Sequence, residues 1–380
     1  MQIEQTRWME KGGWTPVSPG GFGGAAQLVL VFAGTSLIQN PDKLAEVRAA
    51  YPRAKIMGCS TAGEICGTQV TDDSMVVTAI RFAHSTVEGA CIQIQAEENS
   101  FRLGERLAQS LEPRGLRHVF VLSNGLKING SDLVRGLTSV LPLDVAVTGG
   151  LAGDGGRFLE TPVLWGGDVQ FDTVAAIGLY GDRLKIGYGS LGGWDPFGPE
   201  RLITRSCGNK LYEFDGKSAL ELYKKYFGEH AKGLPATGLL FPLSIRTREG
   251  ERGLVRTLLA IDDAEQSMVF AGDIPEGAYA RLMKANFDRL IDGAVGAAKT
   301  NQDMMGSFPA ELAILISCVG RKMVLRQRIE EEVEGVREVL GLQAVLTGFY
   351  SYGEISPHAP GSRCELHNQT MTITGLAEVA

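Results

Sequence analysis

The sequence predicts a mixed α/β protein of two domains, built from duplicated strand–helix–strand units whose mixed sheets are covered by helices. Three observations carry this. The string Gly-x-x-x-x-Gly-Glu-Ile occurs twice, at 58–65 and 348–355, nearly a chain length apart. Each copy follows an apolar run, Lys55-Ile56-Met57 or Ala344-Val345-Leu346, and each run follows a helical stretch. Glycine, 49 of 380 residues, gathers at the ends of apolar runs, as tight turns and close backbone approach require. The repeated object is a strand running into a glycine loop, where α/β proteins commonly bind ligands.

In chain order, residues 1–26 read as a loose head with a short glycine-rich entry at 20–24. Leu28-Val29-Leu30-Val31-Phe32 is a buried-strand run, and 41–50 is helical with Pro41 in its first turn. The strand into the first Gly-Glu-Ile loop completes a unit that favours parallel neighbours. Alternating residues at 74–82 and 85–94 predict two adjacent strands, with His84 in the turn between them. A helix over 99–111 starts at an Asn cap.

The unit recurs as a strand at 118–122, a helix at 131–141 and a strand at 144–147 leading to Gly149-Gly150-Leu151-Ala152-Gly153-Asp154. It recurs again from 312–316 through a helix whose Leu325, Ile329, Val333, Val336 and Leu340 share one face. Between these units, 174–180 and 184–189 around Gly181-Asp182-Arg183 predict a hairpin. Strands at 202–205 and 210–214 follow, then a helix at 218–227 stopped by Gly228. The predicted domains are 27–210 and 211–376, the second helix-rich.

A formal net charge of −7 with Lys and Arg scattered, as on solvated faces, argues against nucleic acid as a partner. No apolar run reaches the length of a membrane span, and the N-terminus has no signal-peptide core, so no membrane insertion is expected. Six cysteines in so long a chain make no disulfide framework and predict a reduced, cytoplasmic protein.

Gly187-Tyr188-Gly189-Ser190-Leu191-Gly192 fits G-x-G-x-x-G, but a dinucleotide site needs a helix to begin there. The following Gly193-Trp194-Asp195-Pro196-Phe197-Gly198-Pro199 forbids it. Glu64 and Glu354 invite a general acid/base reading, with Asp154 and the nucleophile candidate Cys59 beside them. A hydrogen-bonding role in the glycine loops explains both glutamates more simply, since no histidine or nucleophile recurs beside both. Cys364-Glu365-Leu366-His367, with His358 nearby, is the only metal-like spacing, and structural packing is the simpler reading of it.

Taken together, Gly58-Cys59-Ser60-Thr61-Ala62-Gly63-Glu64-Ile65, the 149–154 loop, Leu211-Tyr212-Glu213-Phe214-Asp215-Gly216-Lys217-Ser218-Ala219, and the 348–355 loop followed by Leu366-His367-Asn368-Gln369-Thr370 resemble the FIST domain family over 27–376. The resemblance implies a stand-alone, non-catalytic sensory module that binds a small ligand and modulates a partner sensor histidine kinase, or a diguanylate cyclase or phosphodiesterase of cyclic-di-GMP signalling. It is similar to haem-binding, nitric-oxide-sensing members, which makes haem b a candidate cofactor with His367, His358 or Cys364 as iron ligand. The family motifs nominate Gly58, Ser60, Thr61, Glu64, Gly150, Asp154, Tyr350, Tyr352, Glu354, His367 and Asn368 as ligand-binding residues. Tyr350, Tyr352 and His367 mark the second loop as the sensing side. A small-metabolite enzyme using Glu64 and Glu354, or a non-catalytic interaction scaffold, are the alternatives.

Overall fold

The computed structural model describes residues 1–95, 98–234, 236–247, 253–358 and 361–379. It is a mixed α/β structure in which three sheets surround a common core and a fourth sheet is inserted into the last of them. The predicted unit occurs three times. Parallel pairs Leu28–Ala33 with Lys55–Ser60, Leu116–Ser123 with Ala146–Leu151, and Leu312–Cys318 with Val345–Ser351 form the centres of the three sheets. Each pair is flanked by an antiparallel strand, Met75–Arg81, Thr173–Tyr180 or Met371–Glu378.

The strand after each glycine loop leaves its own unit. Glu64–Cys66 of the first unit pairs with Val345–Ser351 of the last. Gly353–Pro357 of the last pairs with Ala146–Leu151 of the middle unit. Val163–Trp165 of the middle unit pairs with Lys55–Ser60 of the first. The exchange therefore closes a ring, and no unit has a complete sheet alone.

The same exchange corrects two sequence expectations. Met75–Arg81 and Thr86–Gln93 are not neighbours but lie in different sheets, so His84 sits at a crossover and not in a hairpin turn. Thr173–Tyr180 and Leu184–Leu191 are likewise split, the second joining Met371–Glu378. Nor is residues 1–26 a loose head: Gln2–Met9 pairs with Met75–Arg81 along its whole length. The Met1 ammonium meets Glu311 and Glu378, so the chain ends meet at the third such corner.

Inner faces of the three sheets meet in a core containing Leu30, Phe32, Phe120, Leu122, Ile314 and Phe349. His118 lies in this interior, with Nε2 2.8 Å from Thr148 Oγ1, and burial pushes its pKa down to about 3. Outer faces are covered by helices: Pro41–Ala50 on the first sheet, Ser100–Gln109 and Gly130–Val140 on the second, and Phe287–Met305 with Ile329–Leu340 on the third. The face read as one helix breaks at Arg326, whose φ is +50°, between Val319–Leu325 and Ile329–Leu340.

Residues 192–286 form the insertion. Its eight-stranded sheet, which includes Asp195–Cys207, Lys210–Phe214, Leu243–Arg246 and Tyr279–Lys284, packs with the helix Ala219–Phe227 around its own core. This region is strand-rich where the sequence led us to expect helices. The expected cut at 210/211 falls inside it, within the strand Lys210–Phe214, which pairs with Asp195–Cys207.

Candidate functional site

The three glycine loops meet. Gly58, Gly149 and Gly348 hold the same register in their units, opposite Val31, Val121 and Leu315. A Cβ at any of them would run into that partner's carbonyl oxygen, so the close approach explains the glycine in all three. Gly149 is thus the counterpart of Gly58, while Gly150 faces Ile316 and the Gly353 carbonyl. Beyond them, Ala62 N donates to Tyr350 O at 2.8 Å, Gly153 N to Ser60 O at 3.0 Å and Tyr352 N to Leu151 O at 3.2 Å. These three bonds tie each loop to the next in a cycle. The nominated Ser60 and Thr61 lie in this tie, buried, and the Ser60 hydroxyl finds no partner among the described residues.

Glu64 and Glu354 hang from the exchanged strands. Glu64 accepts the amide and hydroxyl of Ser74 at 2.9 and 2.8 Å, and the hydroxyl of Thr61. Glu354 accepts the amide and hydroxyl of Thr370 at 3.1 and 3.0 Å, and the hydroxyl of Ser351 at 2.7 Å. Both are fully buried. Burial pushes their pKa up to about 7 and about 8, against the opposing pull of those donors. Val163 holds the equivalent place in the middle unit, opposite Cys59 as Glu64 is opposite Phe349 and Glu354 opposite Gly150. Asp154 instead ties down a longer loop, accepting the amides of Phe158, Leu159 and Glu160 and the Tyr352 hydroxyl. Burial raises its pKa, but these donors outweigh it and hold the carboxyl below its ordinary range.

The segment 367–370 joins the body to the insertion. Asn368 Oδ1 accepts Thr257 N at 3.4 Å, Gln369 Nε2 donates to Leu239 O at 3.2 Å, and Trp194 Nε1 donates to Gln369 O at 2.9 Å. Gln369 itself is left-handed, with φ of +64°, and its amide packs where a Cβ on Gly320 would stand. Arg321 fastens the start of the insertion to the helix that follows its end. Fully buried, it pairs with Glu332 at 2.7 Å and donates to the carbonyls of Gly192 at 2.5 Å and Leu290 at 2.7 Å. Tyr350 completes this network by donating its hydroxyl to Glu332 at 2.7 Å. Burial pushes the Tyr350 pKa well up, and the Glu332 charge adds to it. Tyr350 is therefore a buried strut, and Tyr352, stacked on Phe158 at 4.6 Å, is another.

Beside this joint lies a cavity of about 410 Å³. The body contributes Leu191, His358, His367 and Thr370, and the insertion contributes Trp194, Ser244, Leu254 and Met283. His367 Nε2 is held 2.9 Å from the Ser356 carbonyl oxygen, and the His358 and His367 rings are 6.2 Å apart. Of the nominated residues, only His367 and His358 line it. Thr370, held by Glu354, links the second loop to its wall.

Cys364 is not their co-ligand. Residues three apart on a strand face opposite ways, and Cys364 Sγ donates to Val147 O at 3.1 Å. Among the described residues no group of three or more His, Cys, Asp or Glu side chains is placed to hold a metal ion. The cavity wall is mixed: Leu191, Trp194, Leu254, Val255 and Met283 are apolar, and Ser190, Ser244, Ser362, Arg363, Glu365 and Thr370 are polar or charged.

Arg321, Glu332, Trp194 and Thr370 escaped the sequence reading. The one available signal was the Gly320-Arg321 step directly after a buried strand, where an arginine has little solvent to enter.

The FIST N domain model matches residues 27–217 and the FIST C domain model matches 219–357. FIST domains are generally small-ligand-sensing domains of signal transduction. An uncharacterised protein of Methanocaldococcus jannaschii is 24% identical over 347 residues, 82% of this chain, and the chain spans 64% of that protein's length. The cyanuric acid hydrolase of A. caulinodans aligns over 94% of this chain and 91% of its own, with 8% identity and a TM-score of 0.36, a likeness too slight to build on. Among the described residues no helix is long and apolar enough to cross a membrane.

Proposed function

Because the chain belongs to the FIST family, we propose that it is a non-catalytic small-ligand sensor, with its ligand in the cavity between body and insertion. The observation that carries this reading is the origin of the wall. Leu191, His367 and Thr370 come from the body side of the joint, while Trp194, Ser244, Leu254 and Met283 come from the insertion. A ligand touching both sides favours one placement of the insertion over others, and a partner reads that shift in population. Glu64 and Glu354, with hydroxyl and amide donors already upon them, support the non-catalytic reading. A cytoplasmic histidine kinase, or a cyclase or phosphodiesterase of the cyclic-di-GMP pathway, is the partner class that the family's signalling context supports.

The serine, threonine and charged side chains in the mixed wall support a small ligand with polar groups, and haem-based nitric oxide sensing is the competing version. One experiment separates them. Purified protein is examined by absorption spectroscopy and its bound small molecules are identified by mass spectrometry after denaturation. The expected result is a small polar molecule and no Soret band, before or after haem is added. A Soret band that disappears on His367→Ala would establish the haem version, and a protein that carries and takes up nothing would sink both.

A further inference from the structure

Arg256 carries a buried charge that no carboxylate contacts directly, although Asp273 and Glu365 lie close enough to act on it. It ends the strand Leu254–Arg256 and is 5% exposed. Its Nη1 donates to the carbonyls of Leu366 at 3.0 Å and Val255 at 3.3 Å, and its Nε to that of Asp273 at 3.2 Å. All three acceptors are neutral, and among the described residues Arg256 forms no ion pair and its Nη2 makes no hydrogen bond. The nearby Asp273 carboxylate is engaged elsewhere, by Arg135 at 3.0 Å and Asn129 Nδ2 at 2.8 Å. Burial pushes the Arg256 pKa down to about 10, against the pull of Asp273 and Glu365.

A buried, unpaired guanidinium costs several kcal/mol unless something compensates it. Its position in the fold is also prepared. Gly272, at φ +130°, lies against it, and a Cβ there would stand 2.9 Å from Nε. The guanidinium borders a cavity of about 270 Å³ lined by apolar Val134, Ile245, Leu254 and Leu366 and by charged Arg135, Asp273 and Glu365. This cavity lies between the helix Gly130–Val140 and the inserted sheet, and shares only Leu254 and Glu365 with the larger one.

We propose that this second cavity binds the oxyanion group, carboxylate or phosphate, of a small molecule with an apolar body. Arg256 receives the oxyanion, since a planar guanidinium presents paired donors that match either group. Arg135, paired with Asp132 and Asp273 at the mouth, draws the Asp273 carboxylate away from the oxyanion, and Val134, Ile245, Leu254 and Leu366 cover the apolar part. The site is independent of the sensor reading and does not use His367.

The test is calorimetric titration of the full chain with sodium phosphate and with sodium butyrate, against sodium chloride at matched ionic strength. Saturable binding of at least one anion is expected, and which one binds identifies the oxyanion. Arg256→Gln is expected to weaken it tenfold or more, about 1.4 kcal/mol. Should that variant fail to fold, Arg135→Gln, altering an exposed side chain, is expected to weaken binding with the fold intact. Ser244→Trp, which fills only the larger cavity, is expected to leave it unchanged. The proposal is overturned if neither anion binds beyond chloride, if both arginine variants bind as the wild type does, or if Ser244→Trp abolishes binding.

Discussion

Glu64 and Glu354 are structural counterparts: each accepts the backbone amide and the hydroxyl of the residue that opens its own unit's antiparallel strand, Ser74 or Thr370. Each does so from a strand lent to a neighbouring unit. The pair therefore locks the exchange at two of the three corners, and Val163 at the third does without it.

This predicts a particular pH dependence. An unfolded glutamate titrates near about 4.3, whereas Glu64 and Glu354 titrate at about 7 and about 8 in the fold. Between those values the native state holds protons that the unfolded chain has released. The resulting stability is complete below about pH 4.3 and is lost as pH rises through 7 and 8, by at most about 1.4 kcal/mol per pH unit for each group. His118 acts oppositely, losing stability as pH falls below about 6.5, so the window from 6.5 to 8 reads the carboxyls. The melting temperature should fall across it, and Glu64→Gln with Glu354→Gln should flatten the fall. Glu354→Ala should cost about 1–3 kcal/mol through the stranded Thr370 amide. An unchanged slope in the double variant, measured by calorimetry, would refute the assignment.

The ring of loops predicts matched responses to alanine at Gly58, Gly149 and Gly348. Each new methyl meets a strand carbonyl that cannot move without opening its sheet, so each should cost roughly 3 kcal/mol or more. Gly156, with nothing near it, should tolerate alanine within about 0.5 kcal/mol. Urea unfolding of the four variants checks this, and a mild effect at only one of the three would break the equivalence.

Arg321 predicts how the insertion is held. Glu332→Ala leaves its charge buried and alone, which should cost about 3–5 kcal/mol. Arg321→Met releases the carbonyls of Gly192, where the insertion begins, and of Leu290, in the helix that follows it. Limited proteolysis should then cut near 192–193 or 286–290 faster than in the wild type, at a temperature where both are folded. Equal cleavage rates would show that other contacts hold the joint.

The units were legible because buried parallel strands read as unbroken apolar runs, such as Leu28 to Phe32, and because their loops need glycine. What each strand pairs with was not. Nothing local distinguishes Glu64–Cys66 pairing within its unit from pairing with Val345–Ser351, and Gly181-Asp182-Arg183 reads as a hairpin whether the next strand turns back or crosses to another sheet. The 149–154 loop was recognised, but Gly149 and Gly150 are told apart only by register. At the candidate site, the histidines were visible as residue types, whereas Arg321 and Arg256 were taken for solvated charges because burial is a property of the assembled units. Tyr350 and Tyr352 looked like ligand-facing groups because an aromatic hydroxyl signals a polar contact without saying that the partner is Glu332 or Asp154.

A ligand held between body and insertion must be displaced when that space is filled. Ser244→Trp places an indole in the cavity from the inserted side. The molecules released on denaturation are compared by mass spectrometry between wild type and this variant, with circular dichroism confirming the fold. The expected result is that a small polar molecule present in the wild type is missing from folded Ser244→Trp. The same molecule retained at equal occupancy would contradict it.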